Sequence, residues 1–314
     1  MKTLIFNILI AVSTLTYAQK HHDKQAVQLS TPSGILCGTL LVADSINTTH
    51  VAIIIPGSGA TDQNGNSGMA MHTNAYKLLA EELARNKISS LRFDKRGIGK
   101  SSNAAIQISE LRFENFIDDV TLWTNMLKSD QRFKKVYLIG HSQGSLIGIM
   151  TAQASTVDGF ISIAGAGYSI DKILNKQLKN KVSEELYKES TTILASLRKG
   201  EAVDSVSPWL YSVFSPLMQP YLISWIQYDP CSEIKKLDIP SLIINGTTDI
   251  QVSVDNAEKL HEAAKNSQLL IIDNMNHVLK EAPLEQKSNI ATYSNGKLPV
   301  VPLLVEGIVD FIGN

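Results

Sequence analysis

The chain has 314 residues, 44% hydrophobic and 19% charged, an ordinary globular balance with enough length for a sizeable core in one large domain or two smaller ones. Its 29 Lys and Arg against 30 Asp and Glu leave a formal charge of −1, and no long basic run occurs, so neither nucleic acid nor an anionic membrane surface is an expected partner. Two cysteines, Cys37 and Cys231, sit in no C-x-x-C or clustered His/Cys spacing, so no metal or other cofactor is expected and the thiols read as unpaired.

Residues 1–18, MKTLIFNILIAVSTLTYA, carry one early lysine, an apolar stretch too short to span a bilayer, and Thr16 and Ala18 at the positions of a cleavage site. This is the pattern of a secretory signal peptide, with a retained N-terminal anchor as the alternative. Cleavage after Ala18 removes Lys2 alone among the charged residues, leaving 28 basic against 30 acidic and a charge of −2. The expectation is a periplasmic or secreted protein with no stable membrane insertion once the signal is gone. The oligomeric state is not legible.

The runs 26–29 and 35–42 alternate apolar and polar residues around Ser30-Thr31-Pro32-Ser33-Gly34, which predicts a hairpin. The unbroken β-branched run 50–55 predicts a strand buried on both faces, followed by a polar loop at 60–68 and a helix with Ala75, Leu78, Leu79 and Leu83 at helical spacing. Residues 88–93 form the next strand, and a helix then lines up Phe113, Phe116, Ile117, Val120 and Leu127. Strands are predicted at 136–139 and 159–164, separated by another helix. This alternation implies a mostly parallel sheet with helices on both faces.

From 168 to 228 no strand is legible. A Lys/Glu-rich helical stretch is followed by Trp209, Tyr211, Phe214, Met218, Tyr221 and Trp225 among three prolines, which predicts a helical cap inserted into the sheet domain. Strand patterns resume at 239–245, where Pro240 stands at the strand's start, and at 268–272. Ser253 is placed to cap the helix between them, and Val301, Leu304, Val305, Ile308, Val309 and Ile312 share one face of a closing helix. The expected organisation is a signal at 1–18, a core at 19–167, a cap at 168–229 and the rest of the core at 230–314.

Chemistry gathers at the predicted strand ends, where ligands bind in parallel sheets. Gly140-His141-Ser142-Gln143-Gly144 is a G-x-S-x-G turn between strand and helix, in which the glycines make room for a strained serine. Asp249 and His277 follow later strands in the order Ser, Asp, His. A serine hydroxyl is a poor nucleophile until a neutral imidazole takes its proton, and a carboxylate fixes the tautomer of that imidazole. Asp255 and Asp273 compete with Asp249 for that place; His261 reads as structural, and His141 as facing away from Ser142. Two backbone N–H groups must also meet the developing oxyanion, for which Gln143 and Ser58 fit, with Gly57 or Gly59 as alternatives to Ser58.

These residues resemble the α/β-hydrolase family over nearly all of the mature chain. The matching motifs are IIIPGSG at 53–59, FDKRGIGKS at 93–101, GHSQG at 140–144, NGTTD at 245–249 and NHVL at 276–279. Within the family the chain resembles secreted or periplasmic bacterial esterases and serine-aminopeptidase-like hydrolases, although Pro56 stands where many members carry histidine. The resemblance implies an α/β-hydrolase fold with a helical cap, and a serine hydrolase cleaving a small-molecule carboxylic ester through an acyl-enzyme on Ser142. An aminopeptidase or thioesterase with the same triad, and a catalytically silent binding protein on the same fold, are the alternatives.

Overall fold

A computed structural model describes residues 22–43, 49–69, 71–179 and 181–313, so the predicted signal at 1–18 lies outside the described residues. The strands are β1 (Asp23–Thr31), β2 (Gly34–Val42), β3 (His50–Ile55), β4 (Asn66–Ser67), β5 (Met71–His72), β6 (Ser89–Phe93), β7 (Lys135–His141), β8 (Gly159–Ile163), β9 (Ser241–Gly246) and β10 (Ser267–Ile272). The α-helices are α1 (Ala75–Arg85), α2 (Glu114–Ser129), α3 (Gln143–Ala154), α4 (Ile170–Leu178), α5 (Glu184–Arg198), α6 (Tyr211–Phe214), α7 (Gln219–Ile226), α8 (Pro230–Ile234), α9 (Val254–Ala263), α10 (Gln286–Ala291) and α11 (Pro302–Gly313). Among the described residues, no helix is long and apolar enough to cross a membrane.

Eight strands form one sheet in the order β1-β2-β6-β3-β7-β8-β9-β10. The β1–β2 and β2–β6 pairs are antiparallel and all the others parallel. The hairpin forms as the turn residues predict, with Thr31 opposite Gly34 closing it.

The unbroken run in β3 has its reason in two cores. Val51, Ile53 and Ile55 pack into the core that holds Trp123 of α2 and Ile149 of α3, while Ala52 and Ile54 pack on the other face against Leu79 of α1 and Ile308 of α11. Period-two alternation places successive side chains on opposite faces, and with both faces covered neither set is polar.

Between β8 and β9 the described residues carry helices and no strand, as the aromatic and proline pattern implies. Cys37 in β2 and Cys231 in α8 are free thiols. Two local expectations are corrected. The loop at 60–68 is not wholly irregular, because its end pairs with residues 71–72 as the β4–β5 hairpin. That turn is built by polar side chains, Asp62 Oδ1 accepting from the N–H groups of Asn64 (2.8 Å) and Asn66 (2.9 Å), so it has no apolar periodicity to read. Ser253 stands at the N-cap of α9, but its hydroxyl donates to Asp255 and accepts no backbone N–H from the helix.

Candidate active site

The carboxyl ends of the parallel strands point to one edge, where the loops after β3, β6, β7, β9 and β10 meet. At the end of β7, Ser142 has φ 54° and ψ −118°, a conformation sparsely populated by residues other than glycine. A Cβ on Gly140 would lie 2.3 Å from the Gly144 carbonyl oxygen, and one on Gly144 would lie 2.3 Å from that of Ile55 in β3. The two glycines therefore allow α3 to start against β3 while its first residues crowd β7. The Ser142 N–H donates to the Ile163 carbonyl at 2.9 Å, which ties the turn to β8.

The loops after β9 and β10 bring an acid to an imidazole. His277 Nδ1–H donates to Asp249 Oδ2 at 2.7 Å, and both side chains are buried. The other carboxylate oxygen of Asp249 accepts from the N–H groups of Gln251 (2.8 Å) and Val252 (2.9 Å), so three donors orient the carboxyl group. With its proton on Nδ1, a neutral His277 keeps a lone pair on Nε2. His277 and Ser142 line one narrow cleft together with Ser58 and Tyr76. Asp255 instead pairs with Lys176 at 3.7 Å in the first turn of α9, and Asp273 is exposed, so Asp249 is the acid on His277.

Asparagines lock the two loops together. Asn289 Nδ2 donates to the carbonyls of Thr248 and Pro283, both at 2.9 Å, and Asn276 Nδ2 donates to Asn289 Oδ1 (3.3 Å) and Thr292 Oγ1 (2.7 Å). Asn276 Oδ1 accepts from Val278 N–H at 3.2 Å and Lys280 N–H at 3.0 Å, closing the turn that carries His277.

His141 lines the same cleft as Ser142 and His277, and both of its ring nitrogens are engaged. Its Nε2 lies 2.8 Å from the His277 carbonyl, which can only accept, so the proton is on Nε2. Burial, with the proximity of the His277 imidazole as the second cause, drives the His141 pKa down to about 3, so the ring stays neutral and Nδ1 accepts. The Tyr76 hydroxyl donates to that Nδ1 at 2.7 Å and accepts the Gly57 N–H at 3.0 Å. Burial raises the Tyr76 pKa, which keeps the hydroxyl protonated. A single chain of hydrogen bonds thus runs from the loop after β3, through α1 and β7, to the backbone of His277.

Because the Gly57 N–H is taken, Gly57 drops out as an oxyanion donor. Among the described residues, the N–H groups of Ser58 and Gln143 make no hydrogen bond to a protein acceptor, and both residues line the cavity that contains Ser142. Gln143 is the first residue of α3, where helix N–H groups are free and the dipole favours negative charge.

Residues 65–207 match the family described as serine aminopeptidase, S33, a span that includes Ser142 but neither Asp249 nor His277. The chain is 26% identical over 261 residues to esterase EstD of Thermotoga maritima, a match that covers 80% of this chain and 60% of EstD. Est1E from Butyrivibrio proteoclasticus, in a structure with ferulic acid bound, superposes with a TM-score of 0.61 at 16% identity, covering 92% of this chain and 100% of Est1E. The α/β hydrolase GrgF from Penicillium superposes with a TM-score of 0.59 at 16% identity, over 92% of this chain and 98% of GrgF. The chain has the α/β-hydrolase fold.

In this fold the cavity over Ser142 has a volume of about 340 Å³, lined by apolar residues of α3 and the cap that include Leu146, Ile173, Leu174, Met218 and Trp225. Its polar lining is Ser, Gln and Tyr, with no carboxylate and no ammonium. Glu184 and Glu185 are exposed in the first turn of α5, and Glu189 accepts from the Ser207 N–H at 2.7 Å and from its hydroxyl, so these cap glutamates stay out of the cavity. Among the described residues, no group of three or more His, Cys, Asp and Glu could hold a metal ion.

The sequence assigned Ser58, Ser142, Gln143, Asp249 and His277 to one edge, and the fold gathers all five there. It missed Tyr76, Asn289 and Lys95. Lys95 follows β6 inside the FDKRGIGKS turn and is buried to 5% exposure, which lowers its pKa to about 7 against the upward pull of Asp119. A lysine just past a strand end is the available signal, but its burial is tertiary.

Proposed function

We propose that this α/β-hydrolase cleaves a carboxylic ester through an acyl-enzyme on Ser142. The observation that carries this is His277, fixed by Asp249 in the tautomer that leaves Nε2 free, in one cleft with a strained serine. His277 takes the proton of Ser142 as the hydroxyl attacks the ester carbonyl, and Asp249 stabilises the imidazolium. The Ser58 and Gln143 N–H groups receive the negative oxygen of the tetrahedral intermediate. His277 returns the proton to the departing alcohol, and a water then repeats the sequence on the acyl-enzyme.

The uncharged, mostly apolar cavity favours neutral acyl or aryl groups over an amino-terminal residue, whose ammonium would find no counter-ion there. This ranks esterase above the aminopeptidase reading that the matched family's description raises. Thioesters use the same chemistry. We also propose export, with cleavage after Ala18, which the intact mass of the mature protein reports.

Ser142→Ala should fold normally and lose several orders of magnitude of turnover on a short-chain 4-nitrophenyl ester. Retained turnover, or an aminoacyl 4-nitroanilide cleaved faster than the ester by the wild type, would reject the proposal.

A further inference from the structure

We propose that Lys95 is a positioning residue that holds both oxyanion-donor residues, and polarises the Ser58 N–H, from behind the active-site wall. The inference rests on the esterase reading, since it supposes an oxyanion at Ser142.

The Lys95 ammonium donates to two acceptors, the Gly57 carbonyl at 3.0 Å and Gln143 Oε1 at 3.1 Å. Each belongs to one of the two donor residues. The Gly57 carbonyl and the Ser58 N–H are the two ends of one planar peptide, and no cis peptide occurs among the described residues. In a trans peptide these groups point in opposite directions. Holding the carbonyl against Lys95 therefore directs the Ser58 N–H away from Lys95, on the side of the cavity that Ser58 lines.

Gln143 is gripped at both ends of its amide. Its Oε1 accepts from Lys95 and its Nε2 donates to the Tyr221 hydroxyl on α7 of the cap. The first residue of α3, whose N–H is the second donor, is thereby fixed between the core and the cap.

Lys95 does not line the cavity over Ser142. It lines a separate void of about 10 Å³ with Ile55, Pro56, Phe93, Phe116, Val120 and Ile147, so it has no access to substrate. Its surroundings are also unusual for a buried amine. Among the described residues no carboxylate lies within ion-pair distance of it, because Asp119 is engaged with Arg96 at 2.5 and 2.9 Å. The amine rests instead on a carbonyl, a neutral amide and the face of Phe116, 4.5 Å from the ring centroid. Charging an amine on neutral acceptors is costly, which is why burial lowers the Lys95 pKa to about 7 and the cation is the major form only below that pH. Its benefit falls on the donors. A cation on a peptide oxygen polarises the unit and strengthens its N–H as a donor, and a positive charge in a low-dielectric wall favours an oxyanion on the other side.

The test is steady-state kinetics of Lys95→Met on a 4-nitrophenyl ester, alongside inhibition by an aryl trifluoromethyl ketone, which forms a tetrahedral oxyanion on serine. Removing an oxyanion donor outright costs on the order of 100- to 1,000-fold in kcat, so removing its support should cost about 10- to 100-fold. KM should stay within about threefold, and the ketone Ki should rise by the same factor as kcat/KM falls. Lys95→Gln, which keeps one donor, should fall between. A folded Lys95→Met with kcat within about twofold of wild type, or with unchanged ketone affinity, overturns the inference. Failure of both variants to fold overturns it too, since the residue would then be structural. An active Ser142→Ala would instead sink the esterase reading itself, a result the Lys95 variants do not produce.

Discussion

Tyr76→Phe deletes one oxygen and leaves two buried polar groups without partners. The hydroxyl accepts the Gly57 N–H at 3.0 Å and donates to His141 Nδ1 at 2.7 Å, and Tyr76 is 4% exposed. A buried group left unpaired costs about 1–3 kcal/mol, so the substitution should cost about 2–6 kcal/mol, while Phe retains the stacking contribution. At about 2–4 °C per kcal/mol for a chain of this size, Tm should fall by about 4–24 °C. The narrow cleft beside Tyr76 can admit a water that recovers part of this, which favours the lower half of the range. The assay is thermal melting by circular dichroism, with kcat for ester hydrolysis measured well below Tm. Turnover should fall by about tenfold, because the loop that carries Ser58 and the backbone of His277 lose their common tie and small misplacements are expensive. A Tm loss below about 2 °C would refute the reasoning, since two orphaned buried groups cannot cost so little unless the hydrogen-bond chain is absent.

Gly144→Ala puts a Cβ 2.3 Å from the Ile55 carbonyl oxygen, backbone that cannot swing away, so the serine turn must shift. We expect about 1–3 kcal/mol of destabilisation by denaturant titration and about a 100-fold loss of kcat/KM; an active variant of normal stability would contradict the close approach of α3 to β3. His141 governs an acid limb of stability. Its folded pKa of about 3 lies below the value of about 6.5 in the unfolded chain, so the unfolded state binds the proton first and stability falls as pH drops from about 6.5 toward 3. Measured by urea titration across that window, His141→Gln should have a shallower pH slope than wild type by up to about 1.4 kcal/mol per pH unit, and identical slopes would show that the ring is not held neutral.

The sequence by itself determined whatever depends on neighbours along the chain. The continuous apolar run at 50–55 marked β3 as a strand with both faces covered, because side-chain alternation is a local property. Gly140 and Gly144 marked the serine turn, because a Cβ at either would meet backbone. The polar β4–β5 hairpin escaped for the same reason, since Asp62 and the asparagines build it without periodicity.

The tertiary structure decided what depends on elements meeting across the sheet. Asp255 and Asp273 compete with Asp249 in the sequence, and the approach of the loops after β9 and β10 puts Asp249 on His277. Gly57 and Ser58 are adjacent, and the hydroxyl of Tyr76, brought in by α1, occupies the N–H of Gly57 and leaves that of Ser58 free. Lys95 appears in the sequence as one charge in a turn. It becomes a buried cation on the Gly57 carbonyl and the Gln143 amide because β6 lies beside β3 and β3 beside β7, an adjacency fixed by packing and invisible to spacing.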